Sequence, residues 1–391
     1  MLPSIAFVLL LGFVMGELFA KLRLPRITGM IIAGVLLGAV GALDESLLNI
    51  SAELRKIALI IILTRAGLNL ELADLKKAGR PAVLLCFVPA VFEMAGTILL
   101  APALLGLSRI EAAVLGAVLA AVSPAVIVPK MLALMVQKRG TAKCIPQMIL
   151  AGASVDDVFV IVMFSVFTGI EQGGGVDPMS FVNIPISIIL GTAAGAACGA
   201  LLCVLFKKVH IRDSCKVIIV LSTGFLLTGA ETALTGIIGF SGLIAVMAAG
   251  MTCRIRLPEA SKRVSAKFGK LWTGAEIILF VLVGAQVDIS NALNAGIAIP
   301  ALILAVLVFR SAGVLVCLIK TRLNLRERLF CAAAYTPKAT VQAAIGGTPL
   351  AMGLACGQTV LSAAVLAILL TATLGSFLID LLGRRCLSAD E

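Results

Sequence analysis

Apolar residues in this chain come in long runs rather than in alternation. Thirteen mainly apolar segments of roughly 17–25 residues, the length a helix needs to cross hydrocarbon, fall at 3–20, 25–42, 53–70, 81–105, 111–136, 145–170, 181–206, 215–233, 235–252, 270–287, 296–319, 328–354 and 358–382. Lipid offers the backbone no hydrogen-bonding partner, so such segments must be helical, and the pattern predicts an all-α polytopic membrane protein. Two polar stretches stand out between spans. Residues 171–180, opening with Glu171-Gln-Gly-Gly-Gly, read as an outer loop. Residues 252–270 are basic and partly amphipathic and read as a cytoplasmic helix lying along anionic headgroups, with a regulatory role there as a lesser alternative.

Composition agrees with lipid as the main solvent. The 391 residues are 60% hydrophobic and 14% charged, where a soluble domain carries about 25% charge. A net charge of +11 raises the question of nucleic acid, but the positions of the charges answer it. Lys21, Arg23 and Arg26, Lys76, Lys77 and Arg80, Lys138, Arg139 and Lys143, and the later clusters at 207–216, 254–270, 320–328 and 384–385 all follow odd-numbered spans. Connections after even-numbered spans hold only Arg55, Lys56 and Arg109 against Asp44, Glu45, Glu111, Glu171 and Asp177. The bias places the N-terminus outside and the C-terminus in the cytoplasm. The ten cysteines form no Cys-x-x-Cys and sit mostly in apolar runs, as small buried hydrophobes. With one histidine, His210 in a loop, no nucleophile–base set or resident metal cluster is visible, which argues against an enzyme and against any cofactor. The first apolar run lacks a basic leader and an Ala-x-Ala site and reads as a retained helix. Only Leu387–Glu391 follow Cys386, so no nucleotide-binding domain is expected there.

The informative residues are the polar ones inside the spans. Asp156 and Asp157 lie adjacent in the middle of span six, and two such carboxylates repel each other and resist burial unless something positive joins them. Glu93, Arg310 and Lys338 are mid-span in four, eleven and twelve, and Glu93 with Arg310 would relieve each other's desolvation as an ion pair. Proline interrupts span five at Ser123-Pro124 and span twelve at Thr336-Pro337-Lys338. Each is fifth in a set of six, counted from spans one and eight, which predicts two inverted repeats, 1–6 and 8–13, joined by span seven. Broken helices in matching positions point to a transport site. Lys338 would then sit where the half-helices meet, facing carbonyl ends. Gly191, Gly195 and Gly199 read as helix packing. Glu231 and Glu276 read as solvated span ends. Arg65 and Lys130 read as snorkelling side chains. Asn69, Glu71 and Asp74 read as a helix end.

Ala121-Val-Ser-Pro-Ala-Val-Ile-Val-Pro129, Gly152-Ala-Ser-Val-Asp-Asp157 and Thr336-Pro-Lys-Ala-Thr-Val-Gln-Ala-Ala-Ile-Gly346 resemble the cation/proton antiporter superfamily, in particular its two-aspartate branch and the NHA-type sodium/proton antiporters. The likeness runs from about Thr64 to the C-terminus. It implies a homodimer in which a six-helix core with two crossed discontinuous helices moves against a scaffold. Mapped onto this chain, residues 1–80 (spans 1–3) and 215–290 (spans 8–10) are scaffold, 81–170 (spans 4–6) and 291–391 (spans 11–13) are core, and 171–214 connect them. It further implies that Asp157 carries the ion and the proton with Asp156 beside it, that Ser123 coordinates the cation, and that Glu93 and Arg310 pair. The sequence departs from the pattern at two places. Some relatives carry a lysine near Arg310's position that can release a proton, which a guanidinium does not do readily. Gln286 stands where some NHA-type members have a glutamate.

The resulting expectation is a secondary antiporter exchanging Na⁺ or Li⁺ for H⁺ by alternating access, one for one and electroneutral, in the inner (plasma) membrane of a bacterium, with no nucleic-acid partner. Oxygen ligands from Asp157, Asp156, Ser123, carbonyls freed at the breaks and water would hold the ion. A K⁺/H⁺ exchange or efflux system of the same superfamily and a sodium-coupled organic-anion symporter are the alternatives; the second lacks a reason for adjacent aspartates.

Overall fold

A computed structural model of the chain describes residues 1–22, 24–69, 72–174, 178–234, 238–287 and 296–388. Arg23, Glu71 and Asp177 lie outside the described residues, as does the side chain of Asp74. Helices and no strands occur among the described residues. Eight helical stretches among the described residues are long and apolar enough to cross a membrane, two of them, Gly79–Leu105 and Arg109–Val136, running across an interruption. Contacts divide the chain into two compact units.

The first unit comprises residues 1–52, 73–173 and 277–391. It opens with α1 (Leu2–Lys21), α2 (Arg26–Ala39) and α3 (Glu45–Asn49), where α1 and α2 pack together. Further on, α5 (Leu72–Leu85) is interrupted at Gly79, whose φ of +66° suits glycine. The basic connection expected after span three is therefore largely helical. A turn at Cys86–Phe87 separates α5 from α6 (Val88–Leu105), although span four reads as one run; Pro89 in the first turn of α6 is the local signal for this second start.

Span five becomes α7 (Arg109–Ala120) and α8 (Pro124–Val136), with Ala121–Ser123 extended between them. Ser108 and Glu111 close a capping box at the start of α7. Span six is α9 (Ile145–Gly169). The second broken segment is built in the same way. Asn324 and Glu327 form a capping box for α15 (Leu325–Ala334), the helix stops before Tyr335-Thr-Pro-Lys-Ala339, and α16 (Thr340–Ile345) and α17 (Thr348–Ala351) follow. Around the breaks stand α14 (Ala298–Cys317) and α18 (Gly357–Cys386). Gly96 and Gly313 let α6 and α14 approach, the first against the Phe309 ring and the second against Pro89 and Phe92.

The second unit comprises residues 53–72 and 174–276. It holds most of α4 (Ser51–Asn69), α10 (Pro178–Lys208), α11 (Asp213–Leu234), α12 (Gly242–Arg256) and the beginning of α13 (Pro258–Ala285). Gly191, Gly195 and Gly199 face Ser241, which caps α12, and Ala245 and Ala249 within it, and any Cβ there would meet a backbone oxygen at 2.2–2.6 Å. The basic stretch does not make a separate surface helix. Arg254 and Arg256 end α12, and the rest forms the first turns of α13. Arg263 Nε donates to Asp213 Oδ2 at 2.8 Å and Ser265 Oγ to Asn69 Oδ1 at 2.8 Å. Arg55 is not a loop charge either: it lies inside α4 and is 2% exposed. Glu231 is half-buried rather than solvated.

Candidate functional site

The site lies within the first unit, where the extended segments 121–123 and 335–339 meet. Proline ends the helical ladder at each, and Ser123 N–H donates to Pro337 O at 2.8 Å, tying one break to the other. Ala121 and Ser123 hold extended backbone, so the ladder of α7 ends here, while Ser123 O opens that of α8 by accepting from Ile127 N–H at 3.1 Å.

Three carbonyls leading into the break are occupied. Leu119 O accepts from Lys338 Nζ, Ala120 O from Arg310 Nη1, and Ala121 O from Gln342 Nε2 at 2.8 Å. Lys338 thus faces the carbonyl end of α7. Its own N–H donates to Thr371 Oγ1 at 2.9 Å. The Leu119, Ala120 and Ala121 carbonyls, which lead into the first break and were expected among the ion ligands, thus each already have a donor.

Arg310 is the hub of the buried charges. Its Nη1 lies 2.8 Å from Glu93 Oε2, its Nη2 lies 2.9 Å from Asp156 Oδ2, and its Nε donates to Tyr335 O at 2.6 Å. The guanidinium also sits 5.6 Å from the centre of the Tyr335 ring. Glu93 is shared. Lys338 Nζ is 2.6 Å from Glu93 Oε1, an ion-pair distance without hydrogen-bond angles. Arg310 is therefore not committed to Glu93 alone, as mid-span pairing suggested; it carries Asp156 as well. Paired charges of this kind tolerate burial because each charge faces an opposite one and most of their polar atoms are hydrogen-bonded.

Asp157 is different. It is 5% exposed, and its Oδ1 has no hydrogen-bond partner among the described residues. Asp156 Oδ2 accepts from both Arg310 and Val122 N–H, while its Oδ1 is unpartnered. Ser123 Oγ is likewise buried and unpartnered and makes no cap for α8. The structure so brings Asp156, Ser123, Pro124, Thr336, Pro337 and Lys338 into one bonded neighbourhood of the two breaks with Glu93 and Arg310, and Asp157 follows Asp156 on α9. Thr336 Oγ1 is turned to Ala333 O at 2.8 Å. Gln286 donates to Ser51 Oγ, away from this network. Lys130 pairs with Asp380 instead of snorkelling alone.

Sequence reasoning missed Tyr335 and Gln342. Tyr335 is the chain's single tyrosine and immediately precedes the second break, and Gln342 is the one amide inside the quoted Thr336–Gly346 motif; those were the available signals.

A family model described as "Sodium/hydrogen exchanger, transmembrane" matches residues 5–384. The chain is 33% identical over 385 residues to human sodium/hydrogen exchanger 9B2, covering 94% of this chain and 71% of the relative. It is 31% identical to human sodium/hydrogen exchanger 9B1, covering 93% and 73%. Its fold is similar to the sodium proton antiporter MjNhaP1 from Methanocaldococcus jannaschii at pH 8, with a TM-score of 0.87 and 19% identity across 98% of this chain and 97% of that one.

Proposed function

The chain belongs to the sodium/hydrogen exchanger family, and from that premise we propose that it exchanges Na⁺ or Li⁺ for H⁺ at Asp157 by alternating access. It is a multi-pass membrane transporter, not an enzyme. One observation carries the reading. Glu93 and Asp156 are matched by Arg310 and Lys338, whereas the Asp157 carboxylate is buried with an oxygen left open. A buried carboxylate in that condition needs a proton or a small cation, and the two compete for it.

The site ligands in this reading are Asp157, the free oxygen of Asp156, Ser123 Oγ and water. Because the cation and the proton use one seat, neither can be carried in the same direction with the other. The buried network at the breaks formally holds three carboxylates, Glu93, Asp156 and Asp157, against two cations, Arg310 and Lys338, and one monovalent charge on Asp157 brings it to zero. A neutral core crosses lipid at far lower cost than a charged one, which favours one-for-one, electroneutral exchange. Thirteen spans in two inverted repeats, a core of 81–170 and 291–391 against a scaffold of 1–80 and 215–290, and a homodimer complete the proposal. So do an outside N-terminus, a cytoplasmic C-terminus in a plasma membrane, and contacts of the basic 254–270 region with anionic lipid. The paired capping boxes and paired breaks support the repeats, and the distribution of Lys and Arg supports the orientation.

The test is reconstitution into liposomes with an imposed pH gradient. Adding Na⁺ or Li⁺ moves protons in the wild type, and Asp157→Asn abolishes that movement. Wild-type-like proton movement in Asp157→Asn would sink the reading.

A further inference from the structure

Of the three donors on the carbonyls of the first break, two are the cations that balance the buried carboxylates. The third, Gln342, is neutral and has no part in that balance. It is fully buried on α16, and its Nε2 donates to Ala121 O at 2.8 Å with a longer contact to Leu119 O at 3.4 Å.

The carbonyl of Ala121 belongs to the same peptide as the N–H of Val122. In a planar trans peptide these two groups point to opposite edges. One edge receives Gln342, and the other donates to Asp156 Oδ2 at 2.9 Å. A single peptide plane thus links the amide on α16 to the carboxylate on α9. Within a helix, the i→i−4 ladder would fix the tilt of that plane. At a break nothing in the ladder does, since α7 ends at Ala120 and α8 begins at Pro124. Donation from Gln342 fixes the tilt and polarises the peptide, which strengthens the Val122 donation at the far edge.

We propose that Gln342 is a positioning residue for cation exchange. Acting through the Ala121–Val122 peptide, it aims the Val122 N–H at Asp156 and sets where the free oxygen of Asp156 stands for the ion. The inference rests on the reading of Na⁺/H⁺ exchange at the aspartate pair. A merely structural glutamine, pinning α16 to the break, would alter stability without altering how the site takes up sodium.

Gln342→Met keeps the side-chain volume and removes both donors, and Gln342→Glu keeps the shape and puts an oxygen in place of the donating nitrogen. Each is reconstituted as the full chain beside the wild type, with Na⁺ as the probe. The expected result is a rise of about tenfold in the Na⁺ concentration giving half-maximal exchange, the size that follows from weakening one hydrogen bond to a charged group. In Gln342→Met the maximal rate stays within about twofold of wild type, because the seat at Asp157 is intact. Unchanged half-saturation in both variants, with only thermal stability lowered, overturns the proposal. Failure of both variants to fold assigns Gln342 to the fold alone and overturns it equally. A wild type without Na⁺-driven proton movement is a separate outcome, which removes the exchange reading itself.

Discussion

Arg310 Nη2 stands 2.9 Å from Asp156 Oδ2, while the neighbouring Asp157 keeps an oxygen without a hydrogen-bond partner among the described residues. Adjacent helical positions differ by about 100° in direction, so two consecutive carboxylates cannot face one cation equally. One aspartate is drawn into the structural charge network, and the other is the one the proposed exchange assigns to the transported ion. Adjacency in sequence produces two different environments.

That division predicts opposite stability effects from the same chemical change. Asp156→Asn leaves Arg310 with Glu93 as its one carboxylate, shared with Lys338, and should lower stability by about 3 kcal/mol. Asp157→Asn removes a buried charge that has no fixed partner, so stability should hold or rise. Thermal unfolding of the two purified variants in one detergent checks this, and equal losses would contradict it.

Glu93 serves both buried cations, so Glu93→Gln leaves Lys338 and Arg310 short of a negative charge together. The expected loss is about 3–5 kcal/mol, from leaving buried charge uncompensated. Because Glu93 offers both oxygens to those cations, relative exchange rates for Na⁺ and Li⁺ should be preserved. Normal thermal stability with altered selectivity in proteoliposomes would reverse the assignment.

How much of this was legible beforehand depends on the range of the forces involved. The helix breaks at Pro124 and Pro337 follow from proline's missing donor, a local property that any reading of the chain detects. The glycine seam of α10 is equally local in its spacing. Mid-span charge also marked Glu93 and Arg310 as partners. The second partner of Arg310 was not visible, because a fork of donors reaching Glu93, Ala120, Asp156 and Tyr335 at once depends on how four helices and a break assemble. Arg55 was misplaced for the opposite reason: a charge near the edge of an apolar run looks like a loop charge until packing closes over it.

Gly152 and Tyr335 offer a test of the packing that holds Arg310. A Cβ at Gly152 would stand 2.0 Å from the Tyr335 hydroxyl, which is buried and without a hydrogen-bond partner among the described residues. Gly152→Ala should therefore displace Tyr335, whose carbonyl accepts from Arg310, at a cost of about 1–3 kcal/mol. Tyr335→Phe removes an unsatisfied buried hydroxyl and should be neutral or stabilising. Combining them should recover part of the loss, since the ring carbon would stand 3.3 Å from the new methyl, although Leu85 at 2.8 Å prevents full recovery. A double-mutant cycle in thermal unfolding measures the coupling; strict additivity would mean that the hydroxyl is not the obstacle.

Exchange by this chain should be insensitive to membrane voltage. With Asp157 carrying either a proton or one monovalent cation, the formal charges of Glu93, Asp156 and Asp157 are balanced by Arg310, Lys338 and that ion. A second proton per cycle would have to come from another group in the network, and the guanidinium of Arg310 keeps its charge throughout. Each inward or outward crossing then moves a neutral core. One net charge moved across the membrane would gain or lose about 2.3 kcal/mol per 100 mV, enough to change a rate many-fold, whereas a neutral crossing gains nothing. Exchange in proteoliposomes held at about 0 and then about −100 mV by a potassium gradient and an ionophore should therefore proceed at the same rate. Acceleration by an inside-negative potential would show that the cycle moves net charge, and the extra proton would have to be sought at Lys338, the other cation beside Glu93.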